Sequence, residues 1–120
     1  MMINIKYLFH PSACGYFCLK YILKRVKVKD KKYMSLYDIG KILNENNYNY
    51  KAYKIRNIKS IKNECITLIK VNKLSYHYVI IKRISDSYVY YYDPLFLFIR
   101  KKKIKKFENI WFNVCLFYYR

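Results

Sequence analysis

Cys14, His77 and Asp93 are the residues of this 120-residue sequence whose types could combine into a nucleophile, a base and a group that orients the base. A carboxylate bonded to one imidazole nitrogen fixes the tautomer and leaves the other nitrogen to act as base. Cys14 opens a predicted helix, where backbone N–H groups and the helix dipole stabilise a thiolate. Gly15 behind it is read as keeping the backbone uncrowded for a substrate. His77 and Asp93 fall on two predicted strands joined by the turn formers Ser85, Asp86 and Ser87. A hairpin centred on Ser85 sets His77 opposite Asp93, and one centred on Asp86 makes them diagonal neighbours on the same face. A slip by one residue would put them on opposite faces.

The elements that must position these residues are legible from periodicity. Cys14, Phe17, Cys18, Tyr21 and Ile22 recur at helical spacing, which predicts a helix over 14–25 with Pro11 and Ser12 just before it. A basic loop over 27–32 follows. Ser35 and Asp38 form a capping-box pattern ahead of a second helix, whose stripe is Leu36, Ile39, Ile42 and Leu43. Residues 50–55 read as a short strand, and Asn57 as the cap of a brief helix ending by 63. Strands are predicted over 65–71, 75–84, 87–92 and 95–100, then a solvated basic run over 101–106, a helical turn over 107–110 and a closing strand over 112–119. Helices first and an antiparallel sheet after them make the class α+β, with residues 1–120 as a single domain.

Composition bounds the remaining classes. A 54% hydrophobic share excludes a disordered chain. The net charge of +18 would attract anionic partners, yet the cations are 20 Lys and only five Arg. Sites that clamp phosphates or read bases favour the forked Arg group, so nucleic-acid binding ranks third among the function classes. The abundance of Lys, Asn, Ile, Tyr and Phe fits a bias toward A/T-rich codons. No stretch approaches the ~20 apolar residues of a spanning helix, and no secretory cleavage pattern follows Met1. The expectation is a cytoplasmic protein with reduced thiols, in which Cys18, Cys65 and Cys115 are packing residues. The cysteine and histidine spacing suggests no metal site, and no cofactor is expected.

Several segments together resemble a known family. Cys14-Gly15-Tyr16-Phe17-Cys18-Leu19 is similar to the C-G-x-x-C-L opening of the bacteriocin-processing cysteine peptidases, the double-glycine leader peptidase domains fused to peptide-exporting ABC transporters. His77-Tyr78-Val79-Ile80 resembles the H-[FY]-V-V strand of that family, and Asp93-Pro94 its D-P. Phe107 to Trp111 resembles its closing E-F-x-x-x-W element. The resemblance implies a papain-like fold with N-terminal helices packed on an antiparallel sheet. It also implies a Cys14-His77-Asp93 triad that cleaves a precursor peptide after a double-glycine-type site. The implied partners are an acidic, amphipathic leader and an exporter at the inner face of the membrane, with this chain as a free-standing, shortened peptidase.

The sequence departs from the family at the oxyanion donor. The family carries a Gln about six residues before its Cys, where this chain has Leu8-Phe9-His10. His10 or Ser12 is the expected substitute, beside the backbone N–H of Cys14. The alternative function is therefore a peptidase-like domain that binds a leader peptide without efficient turnover.

Overall fold

A computed structural model describes residues 14–24, 34–72, 75–94, 96 and 98–120, with backbone alone for 14, 72 and 75. Two ten-residue helices come first, α1 (Cys14–Leu23) and α2 (Leu36–Glu45). The capping box of α2 forms as predicted, with the Ser35 hydroxyl accepting from the Asp38 N–H and the Asp38 carboxylate accepting from the Ser35 N–H, both at 3.1 Å. Asn46 and Asn47 end the helix, Asn47 in the left-handed region at φ 67°. The predicted cap at Pro11 and Ser12 and the basic loop over 27–32 lie outside the described residues.

Six strands follow: β1 (Asn49–Lys54), β2 (Cys65–Asn72), β3 (Ser75–Ile84), β4 (Tyr88–Asp93), β5 (Phe98–Lys103) and β6 (Trp111–Tyr119). A 3₁₀ turn, Ile58–Ser60, is capped by Asn57, and a short helix, α3 (Ile104–Glu108), precedes β6. All pairings are antiparallel and the order is β1-β6-β2-β3-β4-β5, so the last strand inserts between the first two. The sheet is covered on both faces. Cys18, Leu19, Ile39 and Leu43 of the helices bury Ile66, Ile80, Tyr92 and Leu116 on one face. Ile58, Ile61 and Phe107 cover Cys65, Ile69, Val79, Ile81, Val89, Tyr91 and Trp111 on the other.

The fourth predicted strand and the basic run need correction. The strand begins at Phe98, and Lys101, Lys102 and Lys103 belong to it, while Lys105 and Lys106 lie in α3. A turn closed by the Phe96 N–H on the Asp93 carbonyl, at 3.0 Å, delays pairing until Phe98 faces Asp93. Lys101, Lys102 and Lys103 thus lie on an edge strand, where charge discourages pairing with another chain. Lys101 extends over the Tyr88 ring, 4.7 Å from its centroid.

Gly15 also has a packing role. A Cβ there would stand 3.2 Å from both Met34 and Ile39 and 3.4 Å from the Tyr78 ring. Its missing side chain lets α1 approach α2 and β3, so the requirement comes from packing. Gly40 is a tighter case, because a Cβ would overlap the Tyr50 ring.

Candidate active site

The β3–β4 hairpin decides where His77 and Asp93 point. Next to the turn, Ile84 pairs with Val89 and Arg83 with Tyr90. That register, continued, would set His77 and Asp93 on opposite faces. Lys82 is instead an extra residue on β3, and beyond it Ile81 pairs with Tyr91 and Ile80 with Tyr92. This bulge restores the common face and makes His77 and Asp93 diagonal neighbours, one of the two registers expected from sequence. The packing follows the bulge: Val79 and Ile81 alternate, and the next inward residue is Ile84 rather than Arg83.

The bulge is anchored from outside. Lys82 Nζ pairs with Glu64, just ahead of β2, and lies 4.9 Å from the centroid of the Tyr21 ring on α1. Burial pushes the Lys82 ammonium down, but hydrogen bonds to Glu64 and Tyr21 outweigh it and hold Lys82 above its usual range. Glu64 also accepts the Tyr118 hydroxyl at 2.8 Å. The residue that sets the facing of His77 is therefore tied to α1, β6 and the start of β2.

His77 and Asp93 are 3% and 2% exposed, and His77 Nε2 lies 3.2 Å from Asp93 Oδ1. The second carboxylate oxygen is also engaged, because Arg100 Nη1 donates to Oδ2 at 3.3 Å. Arg100 comes from β5, where it pairs with Tyr91, and its guanidinium lies 4.2 Å from the centroid of the Phe96 ring. Arg100 escaped the sequence reading. One signal could have found it: it is the sole Arg opening a run of Lys, and a forked guanidinium suits a carboxylate better than an ammonium does. A cleft of about 160 Å³ opens beside the pair, lined by Ile69, His77, Tyr91, Asp93, Phe96 and Arg100 among others.

The imidazole shares its face with Val79 and Ile81, opposite the face on which α1 packs. Pairing between β3 and β4 stops at Ile80 and Tyr92, so residues 75–79 have ladder partners on β2 but none on β4 among the described residues. α1 approaches this part of β3: a Cβ on Gly15 would stand 3.4 Å from the Tyr78 ring, and Cys18 Sγ donates to the Tyr78 carbonyl at 3.5 Å. The Tyr78 hydroxyl donates to the Met34 carbonyl at 2.9 Å and ties the segment before α2 to the same residue. Cys14 begins α1, and its side chain lies outside what is described, as do His10 and Ser12.

Residues 4–120 match the Peptidase C39 family. The chain belongs to that family. No curated protein matches the sequence. The C39 fold is borne out by solved structures. The peptidase domain of Streptococcus mutans ComA is 15% identical with a TM-score of 0.73, the match covering 99% of this chain and 96% of that one. A double-glycine-motif protease from an AMS/PCAT transporter, solved in complex with its leader peptide, is 18% identical with a TM-score of 0.72, covering 98% of this chain and 89% of that one. The α+β class and the helices packed on an antiparallel sheet are those of this C39 domain. Among the described residues no helix is long and apolar enough to cross a membrane.

The three other cysteines are buried, as expected of packing residues. Cys65 and Cys115 interact on one sheet face. The hydrogen bond with Cys115, added to burial, pushes the Cys65 thiol well up, while the same bond lowers Cys115. Nearby, Thr67 Oγ1 donates to the Val114 carbonyl at 2.6 Å and accepts the indole N–H of Trp111 at 2.7 Å.

Proposed function

We propose that this chain is a cysteine peptidase that removes the leader from a small secreted precursor peptide, cutting after a double-glycine-type site. The observation that carries the reading is an adjacency. A Cβ on Gly15, next to Cys14, would stand 3.4 Å from the ring of Tyr78, next to His77, and His77 Nε2 lies 3.2 Å from Asp93. Family membership and the leader bound to the AMS/PCAT protease support the substrate class. The strongly basic chain would attract an acidic leader, and an exporter would hold the enzyme at the inner face of the membrane.

In this mechanism Asp93 holds Nε2 of His77, leaving Nδ1 as the basic nitrogen. Nδ1 takes the thiol proton of Cys14, and the thiolate attacks the scissile carbonyl carbon. The resulting oxyanion is held by the backbone N–H of Cys14, with His10 or Ser12 as second donor. His77 then gives its proton to the leaving amine and the C–N bond breaks, forming an acyl-enzyme. Water, deprotonated by His77, releases the leader and regenerates the thiol. The test is to incubate wild type and Cys14→Ala with a precursor carrying a Gly-Gly leader end and to read product masses. Cleavage by wild type alone supports the reading; cleavage that persists in Cys14→Ala sinks it.

Leader capture without efficient turnover is the second reading. It is favoured by the absence of a Gln six residues before Cys14. Alkylation by iodoacetamide across pH separates the two, since an inactive Cys14 titrates near the ordinary thiol value of ~8.5.

A further inference from the structure

The two carboxylate oxygens of Asp93 face different groups, and the group at the second does not belong to the triad. Oδ1 faces His77 Nε2 at 3.2 Å, and Oδ2 accepts from Arg100 Nη1 at 3.3 Å. We infer that Arg100 is a positioning residue: by holding Oδ2 it fixes the carboxylate plane so that Oδ1 stays on the imidazole. The inference rests on the peptidase reading for its purpose, though not for its geometry.

Three observations carry it. Asp93 ends β4, with Pro94 following and the turn to Phe96 beyond, and among the described residues its strand partner is Phe98. Arg100 is itself held, by its ladder pairing to Tyr91 and by the Phe96 ring beneath the guanidinium. A planar fork stacked on a ring loses less freedom on bonding a carboxylate than a lysine would. Finally, the carboxylate is 2% exposed while the Arg100 side chain is 31% exposed. The guanidinium thus lies on the more exposed side of a buried carboxylate and supplies it with a positive charge.

The other charged or titratable groups lining this cleft are Tyr91 on β4, Lys70 on β2 and Lys102 on β5. They bear on the field at Asp93, whereas only Arg100 among them has a hydrogen bond to it. A role through charge alone would be served by any cation in the cleft. A positioning role requires a donor held in place, as Arg100 Nη1 is by the Phe96 ring beneath its guanidinium.

Proton NMR of the full chain with ¹⁵N-labelled histidine tests this without depending on turnover. The chain has two histidines, and the spectrum of His77→Gln identifies which imidazole N–H belongs to His77. In wild type the Nε2–H signal is expected at low field and protected from solvent exchange. In Arg100→Gln it should exchange at least about tenfold faster or disappear, as one lost charge-assisted bond implies. Arg100→Lys, which keeps the charge without the fork, should fall between the two, and it serves if the Gln variant fails to fold. An Nε2–H signal with unchanged shift and exchange in Arg100→Lys, or in a folded Arg100→Gln, overturns the inference. Failure of the peptidase reading would appear separately, as cleavage that survives in Cys14→Ala.

Discussion

At the scale of single residues, the buried polar groups set the sharpest expectations. His77→Gln should lower the cleavage rate by about 10²–10⁴, the usual worth of a general base, as measured by product formation at saturating peptide. Thr67 has no place in the chemistry but is buried between the Trp111 indole and the Val114 carbonyl. Thr67→Val should cost about 1–3 kcal/mol in urea unfolding, because both of those partners would be left unpaired. Tyr92 supplies a pH expectation. Burial, with Cys18, Tyr21 and Asp93 nearby, pushes its hydroxyl up to about 12 from the usual 10. A raised value in the fold means the native state keeps a proton that the unfolded chain has lost. The contribution is therefore complete below pH 10 and disappears as pH rises toward 12. Unfolding followed between pH 9 and 12 should show a shallower alkaline loss in Tyr92→Phe than in wild type.

At the scale of elements, the contact between α2 and β1 depends on one missing side chain. The Tyr50 ring occupies the space where a Cβ of Gly40 would stand. Gly40→Ala should destabilise the chain by roughly 1–3 kcal/mol through overpacking, despite the better helix propensity of alanine. Adding Tyr50→Leu should recover part of that loss, and a double-mutant cycle measures the coupling. The β3 bulge is the other element-scale device. Apolar runs bounded by polar residues predicted both strands of the hairpin. The odd register at the turn was not legible, because it follows from how Ser85 to Tyr88 close, with the Ser85 N–H donating to the Tyr88 carbonyl at 2.9 Å. Lys82 as the extra residue depends in turn on Glu64, which is distant in sequence.

At the scale of the whole molecule, charge is the dominant feature. A chain of net +18 should capture an acidic leader faster at low ionic strength. The rate of peptide cleavage at subsaturating substrate should therefore fall several-fold between about 50 and 300 mM salt, while the saturated rate changes little. Equal salt sensitivity for a neutral leader would argue against electrostatic capture.

Local rules in the sequence determined a good deal of this protein. Apolar spacing and capping residues located α1, α2 and most strands, because those signals act within a few residues. The motif order around Cys14, His77 and Asp93 also pointed to the family that residues 4–120 match. What only the tertiary structure decided depends on partners far apart in the chain. The insertion of β6 between β1 and β2 is one such feature, and the pairing of Lys82 with Glu64 across β2 and β3 is another. Arg100 reaching Asp93 is the third. Each is a contact between side chains or strands whose meeting no local period encodes. The facing of His77 toward Asp93 lies between the two kinds: residue spacing allowed it, and a bulge held by long-range contacts selected it.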